Sequence, residues 1–112
     1  MKNFDQSGNT VLFTAEDDTS TAIKITSSPS GTQYRIYNSG DNTIFYTFGT
    51  SKTEAEGFME IPTGTGSNAK RSIPLPSGSI EIVTAPSNAY FIAKVSSGES
   101  ACNVYVTPGV AK

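Results

Sequence analysis

Residues 33–49 read QYRIYNSGDNTIFYTFG: two aromatic strand patterns with a cluster of turn formers between them. With period two, Tyr34 and Ile36 share one face, and Arg35 and Tyr37 the other. In the second half Ile44, Tyr46 and Phe48 fall together, which leaves Phe45 between Thr43 and Thr47 on the opposite side. The cluster Asn38-Ser39-Gly40-Asp41-Asn42 predicts a hairpin closing these two strands on each other. If the aliphatic set faces the core, Tyr37 and Phe45 are outward aromatics on neighbouring strands. Aromatic side chains bury much area at small entropic cost, so such a pair marks a candidate protein-contact face. The plainer alternatives are a cross-strand aromatic pair that only stabilises the hairpin, or a second layer covering both faces.

The same grammar runs along the rest of the chain. Short alternating segments at 10–14, 21–26, 33–37, 43–48, 58–61, 72–75, 79–84, 90–95 and 103–107 read as strands. Ile23 and Ile25 flank Lys24, Ile80 and Ile82 flank Glu81, and Val104 and Val106 flank Tyr105, so each aliphatic pair shares a face. Ser28-Pro29-Ser30-Gly31 and Pro76-Ser77-Gly78 are turn sequences, with Pro fixing φ and Gly supplying positive φ. No helical stripe of useful length occurs. The segment 52–57 (KTEAEG) allows one helical turn at most, since it is too short to stand alone. Eight or nine short strands predict one all-β domain over 1–112, as an antiparallel β-sandwich (jelly-roll or immunoglobulin-like) or a small β-barrel. Residues 1–9 are polar apart from Phe4 and read as an arm, in which Phe4 is a further candidate contact residue.

Composition narrows function by exclusion. The 112 residues carry a net charge of −2, with 16% charged residues, 36% hydrophobic residues and ten glycines. The eight basic residues are scattered, only Lys70 and Arg71 being adjacent, so the basic patch that nucleic-acid binding needs is missing. No apolar run approaches the roughly 20 residues that span a bilayer, and the start MKNFDQSGNT lacks the apolar stretch of a signal peptide. The expectation is a chain that stays where it is made, with no direct nucleic-acid or membrane partner. Cys102 is the one cysteine and reads as a buried, inert thiol. There is no histidine, which removes the commonest general base and metal ligand.

Three clusters invite a chemical reading and fail it. The Gly-rich loop 63–71 places Ala69 where a phosphate cradle requires its second glycine. Glu16-Asp17-Asp18 lacks the alternating ligand spacing of a calcium loop. Glu54, Glu56 and Glu60 lie close in sequence, but nothing pairs them across a cleft as acid–base catalysis requires. No catalytic, metal or cofactor site is expected, and the chain reads as a non-enzyme.

Certain stretches also resemble a known family. They are Thr32-Gln33-Tyr34-Arg35-Ile36-Tyr37-Asn38-Ser39-Gly40, the run from Phe45 to Phe48-Gly49-Thr50-Ser51, and Ile61-Pro62. Pro76-Ser77-Gly78-Ser79-Ile80-Glu81, residues 89–93 and Val104-Tyr105-Val106-Thr107-Pro108-Gly109 continue the likeness. In order and spacing this resembles the capsid decoration (cement or staple) proteins of short-tailed double-stranded-DNA bacteriophages, over roughly residues 30–110. The resemblance implies a β-sandwich on the outer capsid surface that spans neighbouring major capsid protein subunits, often as a homodimer. It carries no catalytic residues and no contact motif that transfers position by position. A receptor- or carbohydrate-binding sandwich of a phage tail or fibre is the alternative; the absence of Trp weighs against sugar stacking, although five Tyr are present.

Overall fold

The computed structural model describes residues 4–62 and 71–111. The predicted loop 63–71 therefore lies, except for Arg71, outside the described residues, as do residues 1–3 of the predicted arm. Alternating side chains build nine strands among the described residues: β1 (Phe4–Gln6), β2 (Val11–Ala15), β3 (Ile23–Lys24), β4 (Gln33–Asn38), β5 (Ile44–Gly49), β6 (Ile73–Leu75), β7 (Ile80–Thr84), β8 (Tyr90–Lys94) and β9 (Cys102–Ala111). A short helix, α1 (Lys52–Phe58), follows β5.

The strands form two antiparallel sheets. Sheet A has the order β1-β9-β4-β7, with β2 pairing the same edge of β9 further along; sheet B has the order β3-β8-β5-β6. Apart from β5 to β6, every connection from β2 onward crosses between the sheets. That alternation is the strand order of a jelly roll, and it sets aside the immunoglobulin-like and barrel alternatives.

This order overturns the predicted hairpin. β4 pairs β7 and β9, whereas β5 pairs β6 and β8, so the turn at 38–42 carries the chain from one sheet to the other. The physical reason is Asn38, whose side chain is fully buried. Its Nδ2 donates to the carbonyls of Asn42 (2.8 Å) and Leu75 (3.0 Å), and its Oδ1 accepts from the Gly40 amide at 3.0 Å. Gly40 lies against Cys102, where a Cβ would sit 2.4 Å from the sulfur. Pinned toward β6 and β9, the turn has no freedom to fold β5 back onto β4.

Between the sheets lies one apolar core. Tyr34, Ile36, Val104 and Val106 enter from sheet A, and Ile44, Tyr46 and Phe91 from sheet B, with Val95 just past β8, all buried. Aromatic contacts join the layers: Phe13 meets Phe91 edge-on at 5.3 Å, and Tyr34 meets Phe48 at 4.7 Å. The Tyr34 hydroxyl stays satisfied there, donating to Pro86 O at 2.6 Å and accepting from the Ala89 amide at 3.2 Å. Cys102 is buried, as expected.

Two further expectations need correction. The described part of the arm is a strand: Phe4, Asp5 and Gln6 pair with Ala111, Val110 and Gly109, because β9 continues past residue 107. Pro108, which lacks an amide proton, falls where the partner of β9 changes from β2 to β1. Segment 52–57 forms more than one turn, and Phe58 ends the helix, so the strand predicted at 58–61 is absent. Ser51 caps α1, its hydroxyl accepting from Glu54 N at 3.1 Å, and Glu54 accepts from Thr50 N at 2.8 Å. Tertiary contact supplies the rest. Buried Ala55 sits on Gly49, and Glu56 links Lys52 at 2.9 Å to the Ala22 amide at 2.8 Å. α1 thus covers the outer face of sheet B, which is why Thr47 and Ile92 are buried although they point away from the core.

Candidate interaction surface

Among the described residues the outer face of sheet A has no such cover. Cross-strand partners point to the same side of a sheet. Leu12 pairs with Tyr105, Tyr105 with Tyr37, and Tyr37 with Ile80, so these four side chains form one row across four strands. Leu12 is 53% exposed, Ile80 51% and Tyr105 38%; Tyr37 is half-buried because its ring stacks on Tyr105. The next row reads Thr107, Arg35 and Ile82, with Ile82 49% exposed. A third row reads Gln6, Gly109, Gln33 and Thr84, and the Phe4 ring lies over Gly109.

β7 presents this face against the usual rule. Glu81 and Val83, opposite buried Ile36 and Tyr34, point inward, and Ile80 and Ile82 point to solvent. Glu81 is satisfied by the Tyr46 hydroxyl at 2.5 Å. Burial, then this bond and the Glu81 charge, push the Tyr46 phenol well above the usual tyrosine range. An inward carboxylate on an edge strand also discourages pairing with another sheet edge.

The three contact residues read from the sequence separate accordingly. Tyr37 and Phe4 share the outer face of sheet A. Phe45 does not: it belongs to sheet B, opposite Lys94 and Pro74, so Tyr37 and Phe45 are not neighbours and their proposed pairing is wrong. Tyr37 takes Tyr105 as its cross-strand partner instead. Phe45 lies half-buried in a groove with Asp41, Asn42, Ser77, Ser96 and Glu99. Sequence reading passed over Leu12, Tyr105, Ile80 and Ile82. The isoleucines flanking Glu81 carried the signal, but alternation alone does not tell which face meets water.

The acidic clusters have local roles. Asp17 accepts from Gly98 N at 3.0 Å, Glu54 accepts from Thr50 N just ahead of α1, and Glu56 holds Lys52 and the Ala22 amide. Among the described residues no group of three or more His, Cys, Asp or Glu converges as a metal site. No protein-family model matches the chain, and neither does any curated protein or solved structure.

Proposed function

We propose that the chain is a non-catalytic structural protein that binds another protein through the outer face of sheet A. On this reading it acts as a staple on the outside of a phage capsid, spanning neighbouring major capsid protein subunits and stabilising the shell. The observation that carries protein binding is the row Leu12–Tyr105–Tyr37–Ile80, an apolar stripe left in water by a fold that covers its other sheet with a helix. The capsid as partner is supported by the resemblance over roughly residues 30–110. Jelly rolls serve capsid and lectin domains alike, so the fold does not choose between partners.

A staple stabilises by mass action. It binds the assembled lattice in preference to free subunits, so disassembly must also break its contacts, and simultaneous contact with two subunits raises the effective concentration. The test is co-sedimentation of the purified protein with mature capsids that lack a decoration protein. Binding to capsids with a raised melting temperature of the shell is expected; equal binding to unassembled subunits would overturn the lattice reading.

One observation favours the carbohydrate- or receptor-binding alternative: the groove that sets the Phe45 ring beside Asp41, Asn42 and Glu99. A glycan array decides it, since glycan binding lost on Phe45→Ala and kept on Tyr105→Ser would move the function to this groove.

A further inference from the structure

We propose that the outer face of sheet A fits a different protein, on an apolar patch of that partner carrying one carboxylate placed for Arg35. The inference deepens the reading above and rests on it only in taking this face as the contact surface.

The size is right for a specific interface. Strands about 4.8 Å apart and rows about 7 Å apart make a face of roughly 20 by 25 Å. That is roughly 500 Å² in plan, within a factor of two of the roughly 800 Å² that a standard interface takes from each partner.

The charge pattern selects the partner. Among the outward side chains of these rows Arg35 is the only charged one, and it stands between Thr107 and Ile82, one row from the tyrosine pair. Arg35 is exposed, and its guanidinium has no hydrogen-bond or ion-pair partner among the described residues. A surface that covers Tyr37, Tyr105 and Ile82 must also cover Arg35, and a guanidinium buried without an acceptor is costly. A second copy laid on this face brings another Arg35 and no carboxylate from the same rows. A partner carboxylate, by contrast, matches the planar fork of guanidinium donors, and the apolar surroundings strengthen the pair. Tyr37 and Tyr105 supply the aromatic anchor, and Leu12, Ile80 and Ile82 its rim.

The probe is a display library of small three-helix domains with randomised surface positions, selected on the folded chain. Selected binders are expected to lose at least about tenfold in affinity toward Tyr105→Ser and toward Arg35→Glu, the range of interface hot spots. Changing the binder's Asp or Glu to Lys should restore binding to the Arg35→Glu chain, a readout that a folding defect does not reproduce. Both variants should melt like the parent, and the parent should sediment as a monomer. Binders indifferent to Tyr105→Ser, or binders that never depend on Arg35, would overturn the proposal. So would a dimer that Tyr105→Ser dissolves, which assigns the face to a second copy. Charge-swap rescue together with failure to bind capsids would remove the stapling reading and leave this partner chemistry standing.

Discussion

The Tyr46 hydroxyl donates to the Glu81 carboxylate at 2.5 Å, joining the middle of sheet B to the edge strand of sheet A. Like the Asn38 bond to Leu75, it is a polar link between two layers held mainly by apolar side chains, and it makes stability depend on alkaline pH. The folded state keeps the phenol protonated, whereas the unfolded chain ionises it near its ordinary value of 10.0. The contribution is therefore fully present below that value and is lost as pH rises above it. Urea melts across this range should show stability falling in the parent and staying flatter in Tyr46→Phe. At neutral pH the variant should be less stable by about 1.5–3 kcal/mol, the range for a hydrogen bond to a charged group.

Acid should act at a different place. The bond from Lys52, then the Ala22 amide, hold the Glu56 carboxyl below its usual range. A depressed carboxylate stabilises above its unfolded pKa and ceases to do so as pH falls through the folded one. Hydrogen exchange, corrected for intrinsic rates, should show the Ala22 amide losing protection on acidification while the amides of β8 keep theirs. Glu56→Ala should reproduce that loss at neutral pH.

Asn38 should tolerate no truncation. Removing its side chain strands the buried Leu75 carbonyl and frees those of Asn42 and the Gly40 amide. Each stranded buried group costs about 1–3 kcal/mol, so Asn38→Ala should rank among the most destabilising polar changes in a denaturant series. Survival of the variant at parental stability would show that the turn at 38–42 is held by other contacts.

Ile36 and Ile82 lie one strand apart on opposite faces of the same sheet. Ile36→Thr should destabilise strongly, because it puts a hydroxyl into a closed core. Ile82→Thr should stay within about 0.5 kcal/mol of the parent, as surface changes usually do. Ile44→Ala, a core deletion, should cost about 2–5 kcal/mol, and Phe45→Ala, on the half-buried side of the same strand, less. Thermal melts of the four variants check the face assignments together.

Much of this architecture was legible because period two survives in each long strand. The inward set Tyr34, Ile36, Ile44 and Tyr46 follows from alternation, and the Pro76-Ser77-Gly78 turn follows from its glycine, found at φ 74°. What alternation omits is which strand lies next to which. A five-residue turn between aromatic strands looks like a hairpin locally, and only the buried Asn38 side chain reveals the crossing. The extra strand at Phe4–Gln6 escaped because its sequence is polar and its stability comes from β9, far along the chain. α1 escaped for the same reason: KTEAEG is too short alone, and Gly49 and Ala22 hold it in place. One residue of the exposed row on sheet A, the outward Tyr37, was readable from alternation. The other three needed the registers that bring Leu12, Tyr105 and Ile80 into line with it.

The position of β9 has a consequence for how the molecule comes into being. It is last in chain order yet lies inside sheet A, between β4 and the pair β1 and β2. A chain emerging vectorially from the ribosome exposes the eight other described strands before the one that joins the two halves of that sheet. Sheet A therefore closes only once β9 is free, and until then Val104 and Val106 are missing from the core. Such late, long-range closure predicts slow folding and a nascent chain whose sheet stays unsealed and open to aggregation until β9 joins it.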